Sequence, residues 1–241
     1  MAIITDNIAT SSMTHTGAVR TRNEDALLAM PKVGLWAVAD GMGGHEAGDY
    51  ASQCIVGHLY EAGSHFQGPA LLEEIPRALD MANREIYQYS QQQANGQIVG
   101  STITVLLMEN ESFHCFWSGD SRCYLARERQ FRALTRDHTE AEELIRQGVM
   151  TPEQAENSPE SNTLTDAIGI DETPHIDYIT DYIYEDDRFL LCTDGLNKVF
   201  SDIMLSHMIE HSDIDKVNQQ FLVEALNAGA PDNLSSIIVS L

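Results

Sequence analysis

The sequence predicts an α+β fold with antiparallel sheets and helices layered outside them. Three observations carry this. Strand-like apolar runs recur in pairs joined by short turns, two long helical patterns follow one another directly, and no regular alternation of strand and helix runs through the chain. At 241 residues, with no Pro/Gly/Ser-rich linker and no abrupt change of composition, residues 1–241 read as a single domain.

The central stretch is Leu35-Trp36-Ala37-Val38-Ala39-Asp40-Gly41-Met42-Gly43-Gly44. An apolar run ends at a carboxylate and glycines follow at once, which reads as a buried strand leaving the core at Asp40. An ordinary Asp-Gly turn would look the same. The pattern recurs, however, at Phe116 to Arg122 around Asp120 and at Phe189 to Gly195 around Asp194. Pro231-Asp232-Asn233 then precedes the run Leu234 to Leu241. If these strands share a rim, their aspartates converge, and clustered carboxylates repel and resist leaving water. A hard divalent cation relieves that cost, and oxygen donors suit Mg²⁺ or Mn²⁺.

Taken in order, residues 1–13 read as irregular and frayed, and Ala26 to Met30 reads as a strand. A helix begins at Glu46, with Ala47, Ala51, Cys54, Ile55, His58 and Leu59 on one face, and Gly63 and Gly68 break it. A second helix spans about Pro69 to Gln92, with Leu72, Ile75, Leu79, Ala82, Ile86 and Tyr89 at helical spacing. Gly96 to Ser118 reads as a hairpin turning at Glu109 to Ser112, and Arg122 to Leu134 as a strand pair around Arg127 to Gln130. Residues 136–165 are polar with short helical pieces and form a mobile surface flap. Strands return at Ile176 to Ile183 and Arg188 to Thr193. A helix over Asp215 to Ala228 turns Val217, Phe221, Leu222 and Leu226 inward, and Leu234 to Leu241 is the last strand.

The formal charge of −23 argues against nucleic acid and anionic membranes as partners. Bound cations can reverse the sign locally at a site while the surface stays acidic. No run approaches the roughly 20 apolar residues of a membrane span, and Met1 to Met13 lacks the build of a secretory signal, so a cytoplasmic protein is expected. Cys54, Cys115, Cys123 and Cys192 fit no zinc spacing and read as reduced core thiols.

The motifs together resemble the metal-dependent serine/threonine protein phosphatases of the protein phosphatase 2C type, in their compact bacterial branch. The matching residues are Gly17, Arg20 and Asn23-Glu24-Asp25, then Asp40 to Gly44, Gly100-Ser101-Thr102 and Gly119 to Arg122. Leu134 to His138, Asn162, Leu164, Ala167 and Gly169, Thr193 to Leu196, and Pro231-Asp232-Asn233 complete the ordered set across nearly the whole chain. The resemblance implies a four-layer α-β-β-α sandwich. It also implies a centre of two Mn²⁺ or Mg²⁺ ions held by Asp40, Asp194, Asp232 and the Gly41 carbonyl, with Asp25 and Glu24 acting through water and Arg20 on the substrate phosphate. Asp120 would serve a third ion, but Lys198 stands where the family often has another aspartate and argues against that site. In the flap, Ser161 and Asp166 stand where relatives often carry arginine.

The expected activity is hydrolysis of phosphoserine and phosphothreonine in proteins by a metal-activated water, opposing a cognate serine/threonine kinase. The chain is expected to act as a monomer on phosphorylated proteins. The competing readings are a catalytically idle, metal-bound regulator docking on a kinase or phosphoprotein, and a hydrolase of small phosphate esters. Residue by residue, Arg20 could equally pair with Glu24 on the surface. Asp120 could cap a turn, His45 and His138 could be polar loop residues, and Asn233 supports its loop rather than a metal.

Overall fold

The computed structural model describes residues 8–43, 47–93, 98–155 and 158–241. Strands β1 (Ala9–His15), β2 (Asp25–Met30) and β3 (Leu35–Met42) precede two long helices, α1 (Ala47–His65) and α2 (Pro69–Gln93). Then come β4 (Gly100–Ser101), β5 (Ile103–Glu109), β6 (Ser112–Ser118), β7 (Arg122–Arg127) and β8 (Gln130–Ala133). Short helices α3 (Glu140–Arg146) and α4 (Pro152–Ala155) lead to β9 (Asp177–Tyr182) and β10 (Arg188–Cys192). The chain closes with α5 (Asp194–Asn197), α6 (Asp202–Ile209), α7 (Ile214–Asn227) and β11 (Leu234–Ser240).

The strands form two antiparallel sheets. One has the order β1-β11-β10-β7-β8. The other runs β2-β3-β5-β6-β9, with β4 paired to the end of β3. β3 explains its own composition. Trp36 and Val38 face the space between the sheets, in one cluster with Leu106 and Phe113 of their own sheet and Phe189 and Ile237 of the other. Leu35 and Ala37 face the opposite way, onto Ile55 and Leu59 of α1 and Ile75 and Leu79 of α2. A strand covered on both faces needs apolar residues at consecutive positions, so alternation disappears. The second sheet is covered likewise: Tyr124, Leu190 and Ile238 meet Leu205 of α6 and Val217 and Phe221 of α7. The result is the expected α-β-β-α sandwich, with each fully buried aliphatic side chain contributing about 1.5–3 kcal/mol of transfer free energy.

Helix ends follow their chemistry. Thr139 and Asp213 accept backbone N–H bonds from Glu142 and Lys216 at the starts of α3 and α7. Thr151 accepts from the N–H of Gln154 as the chain enters α4.

Several expectations need correction. Residues 9–15 are not irregular: they form β1, paired with β11 along its length, while residues 1–7 lie outside the described residues. Their serines and threonines carry no apolar signal because an edge strand borrows its order from its neighbour's backbone. Gly63 does not break α1, which continues through it to His65. The predicted helix start at Glu46 and hairpin start at Gly96 fall outside the described residues. α6 had no expected counterpart. Cys115, Cys123 and Cys192 are buried, whereas Cys54 is only half-buried on α1. Among the described residues no helix is long and apolar enough to cross a membrane.

Candidate metal centre

Neighbouring strand ends bring the carboxylates together. Asp25 opens β2 and is the register partner of Asp40, near the end of β3. Asp120 sits in the turn between β6 and β7, Asp194 opens α5 directly after β10, and Asp232 precedes β11. The motif threonine Thr102 fixes the backbone of Asp40: its Oγ1 accepts from the Asp40 N–H (3.0 Å) and its own N–H donates to the Asp40 carbonyl (2.9 Å). Thr102 Oγ1 also meets Ser121 Oγ at 2.7 Å, which ties the Asp120 turn to the same point.

Two glycines let backbones converge here. At Gly41 a Cβ would lie 1.9 Å from the Gly48 carbonyl oxygen, and at Gly195 one would lie 1.8 Å from the Asn233 carbonyl oxygen. Both distances exclude any side chain, so the turns carrying Asp40 and Asp194 approach α1 and the Asp232 loop as closely as backbone permits. Asn233 binds the loop that carries the motif arginine and acids. Its Oδ1 accepts from the Glu24 N–H (2.8 Å), and its Nδ2 donates to the carbonyls of Thr16 (2.9 Å) and Arg22 (2.8 Å). It is a loop support, as read from the sequence.

The electrostatics of the cluster are those of carboxylates crowded away from water. Asp25 is buried, and burial together with Asp194 and Asp232 pushes its carboxyl up to about 7, against hydrogen bonds from Ser235 and Thr193. Burial and the Asp194 charge likewise hold Asp120 at about 7. Burial raises Asp40 well above the usual carboxylate range, with Asp25 and Asp194 adding to it. Glu24 is raised by burial and by Asp49, and its carboxylate lies against Gly48 in the first turn of α1.

Two cations answer part of this charge. Lys198 Nζ lies 2.5 Å from Asp194 Oδ2 and 3.7 Å from Asp120 Oδ2. Arg20 Nη2 lies 2.7 Å from Asp232 Oδ2, so its partner is Asp232 and not Glu24. Two carboxylate oxygens, Asp25 Oδ1 and Asp194 Oδ1, are buried with no hydrogen-bond partner. A buried anionic oxygen without a donor is costly. The donor set is all oxygen, which matches Mg²⁺ and Mn²⁺, and two of its buried oxygens lack a hydrogen-bond partner, so these residues fit a hard divalent ion. Beside Asp194 and Asp232 opens a cleft of about 480 Å³, also lined by Lys198, Pro231 and Asn162.

Asp25, Asp40, Asp120, Asp194 and Asp232 are thus within electrostatic reach of one another, with Gly41, Glu24 and Arg20 at the margin. His45 and Gly44 lie outside the described residues. His138 is buried and committed elsewhere: its Nδ1 accepts from the Gly119 N–H and its Nε2 faces Asp177 at 3.3 Å. Sequence reasoning missed Thr193, whose hydroxyl donates to Asp25 Oδ2 at 2.9 Å and accepts from the Ser235 N–H. It also missed the counter-ion role of Lys198. The signal for Thr193 was present in Thr193-Asp194-Gly195; the sequence marked Lys198 only as unfavourable to a third ion, and its contacts with Asp194 and Asp120 come from the fold.

A sandwich of two antiparallel sheets with a carboxylate cluster where strands of both sheets end defines a metal-dependent hydrolase class more than any binding module. Residues 9–146 match the family described as Protein phosphatase 2C, and the chain belongs to that family. It is 33% identical over 240 residues to Protein phosphatase PhpP of Streptococcus pneumoniae, covering 96% of each. It is 30% identical to Serine/threonine protein phosphatase PstP of Mycobacterium tuberculosis over 100% of this chain and 46% of PstP, so it spans about half of that relative's length. The catalytic domain of PstP, solved with 2 manganese ions, superposes with a TM-score of 0.87 at 28% identity over 97% of both chains. PppA, a key regulatory component of T6SS in Pseudomonas aeruginosa, superposes at 0.89 with 34% identity, over 97% of this chain and 98% of that one.

Proposed function

We propose that the chain hydrolyses phosphoserine and phosphothreonine esters in proteins at a centre of two Mn²⁺ or Mg²⁺ ions, opposing a serine/threonine kinase. The observation that carries this is the pair of buried, partnerless oxygens on Asp25 and Asp194 beside the strongly raised Asp40. The relatives' names and the manganese-bound PstP domain support it.

Asp40, Asp194, Asp232 and the Gly41 carbonyl would hold the ions, and Asp25 and Glu24 would hold their waters. Such ions, when bound, polarise phosphoryl oxygens and lower the pKa of water toward neutrality. Arg20 swings from Asp232 to the phosphate, where its fork matches two oxygens. Asp25 is kept in place by Thr193, and the neutral Asn233 holds the Glu24 loop without adding charge. Lys198, paired with both Asp120 and Asp194, supports a centre of two ions over one with a third at Asp120. Residues 1–241 act as a single domain, and residues 136–165 form a flap over the cleft, to which Asn162 contributes a wall. The protein works as a cytoplasmic monomer.

The test is phosphate release from a phosphothreonine peptide, with Mn²⁺ and with chelator, in the chain and in Asp40→Asn. Release that needs Mn²⁺ and falls by at least about 10²–10³-fold in Asp40→Asn, the scale of losing a central charge stabiliser, is expected. No release from peptide despite bound metal would favour the idle regulator. Preference for a free phosphate monoester would favour the small-ester hydrolase. Turnover surviving in Asp40→Asn would refute the metal assignment.

A further inference from the structure

Outside the carboxylate cluster, two groups of metal-ligating side chains stand out among the described residues: His138, His175 and Asp177, and Cys54, His58 and Glu85. In the first, the two imidazoles stack, with centroids 5.0 Å apart and planes 23° from parallel. A ring nitrogen ligates in the plane of its ring. Near-parallel stacked rings therefore point their lone pairs side by side and not at one point, and this group reads as a packed framework.

The second group has no such defect. Tyr50, Cys54 and His58 are spaced i, i+4, i+8 on α1, which places them along one stripe of the helix. The stripe faces Glu85 of α2. His58 Nε2 lies 3.0 Å from Glu85 Oε2, and the donor atoms of Cys54, His58 and Glu85 are all within 4.8 Å of one another. Tyr50 Oη donates to the other carboxylate oxygen, Oε1, at 3.0 Å, and its ring packs on Tyr89 with centroids 4.3 Å apart. Glu85 is thereby oriented by an outer partner that leaves Oε2 toward the thiol and imidazole, the arrangement that supports metal-ligating carboxylates. Unlike the other three cysteines, which are buried, Cys54 is half-exposed and reachable from solvent.

We propose that Cys54, His58 and Glu85 form a second metal site, for zinc or another thiophilic divalent cation, that clasps α1 to α2. Sulfur, nitrogen and carboxylate oxygen on a tetrahedral ion leave a fourth position for water, a common zinc arrangement. Ligand bonds of about 2.0–2.3 Å place tetrahedral donors roughly 3.3–3.8 Å apart, so small side-chain shifts close the site. A thiolate ligand selects such ions over the Mg²⁺ and Mn²⁺ that suit the oxygen-only centre. On binding, the Cys54 thiol proton leaves to solvent, the sulfur gains a metal bond, and no electron is transferred. The clasp bears on the rest of the molecule because the first turn of α1, at Gly48, abuts Gly41. The proposal is independent of the phosphatase reading.

The test uses the full chain with excess Mn²⁺ on the oxygen centre, followed by one equivalent of Co²⁺ as a spectroscopic probe and then Zn²⁺ to displace it. The expected result is a near-ultraviolet thiolate-to-cobalt charge-transfer band that Zn²⁺ removes. The band is lost in Cys54→Ser, and in His58→Gln and Glu85→Gln the Co²⁺ affinity falls by at least 10-fold. Retained Zn²⁺ after gel filtration falls from one equivalent to none in Cys54→Ser. Absence of the band in the unaltered chain overturns the site. So does a band that persists in Cys54→Ser, or one that is intact at unchanged affinity in both His58→Gln and Glu85→Gln. All three side chains are partly exposed, so the variants are expected to fold; if Cys54→Ser does not, the other two decide.

Discussion

The ammonium of Lys198 is held 2.5 Å from one oxygen of Asp194 while the other oxygen of that carboxylate is buried and partnerless. One oxygen of Asp194 is thus paired with a cation and the other is not. In the proposed centre Lys198 would compete with an ion for Asp194 and Asp120, and its own charge offsets the repulsion among those carboxylates. Lys198→Met should therefore lower stability in chelator. The loss should be about 1 kcal/mol, near the low end for removing a charge partner, because the lysine is 42% exposed. The same variant should gain more stability from added Mn²⁺ than the unaltered chain does. Thermal melts with and without Mn²⁺ read both effects. A smaller gain in the variant would show that Lys198 does not compete with the ion.

Arg20 presents the reverse case. Its pair with Asp232 is exposed, at 53% and 36%, and so adds little to stability. Arg20→Ala should leave the melting curve within about 0.5 kcal/mol of the unaltered chain. It should nevertheless cut kcat/KM on a phosphothreonine peptide by roughly 10–100-fold, the equivalent of about 1.5–3 kcal/mol for a charged hydrogen bond. Arg20→Lys keeps the charge and loses the fork, so it should recover only part of that loss. Full recovery with lysine would mean that charge alone, without bidentate geometry, is what the site uses.

These two residues also mark what one sequence can convey. The core strand β3 was legible because burial on both faces demands an unbroken apolar run, and Asp40 was legible because that run ends on it. Asp194 and Asp232 followed from the same form, and Asp25 from the ordered motifs alone. β1 was not legible: its order comes from hydrogen bonds to β11, which side chains do not encode. The tight turn between β7 and β8 has left-handed backbone at Glu128 (φ 50) and Arg129 (φ 62), where Asn or Gly is the usual signal. Its position was predicted from the flanking strands alone. Lys198 illustrates a further limit. Sequence marks it as unfavourable to a third ion, but only the fold shows that its ammonium stands between two carboxylates.

Glycine packing separates site geometry from general stability. A Cβ at Gly195 would lie 1.8 Å from the Asn233 carbonyl oxygen, so Gly195→Ala must push α5 away from the Asp232 loop. The expected cost is about 1–3 kcal/mol, with a weakened response to Mn²⁺ because Asp194 moves with the helix. Gly57 is the internal control: it lies within α1 and a Cβ there meets nothing within 4 Å. Gly57→Ala should stabilise the protein by about 0.4–1 kcal/mol through helix propensity and a less flexible unfolded chain, with Mn²⁺ response unchanged. Equal effects of the two substitutions in denaturant titrations would show that the close approach at Gly195 does not position Asp194.

His114 supplies a pH dependence away from the carboxylates. It lies on β6, buried, with Nδ1 2.8 Å from the Tyr178 hydroxyl and Nε2 without a partner. Burial pulls its pKa below the ordinary histidine value, with Glu109 opposing the shift. The folded protein therefore keeps the ring neutral at a pH where the unfolded chain, titrating near 6.5, already takes up a proton. The unfolded state binds more protons there, so stability falls as pH drops below about 6.5 and continues to fall until the folded ring also titrates. Above about 7.5 the residue contributes no pH dependence. His114→Leu removes this site while keeping an apolar filling. In urea titrations from about pH 7.5 to 5.5, the unaltered chain should lose more stability than His114→Leu does. Slopes from the carboxylate cluster are common to both proteins and cancel in the difference. Parallel curves would mean that the buried imidazole accepts its proton in the folded state as readily as in the unfolded one.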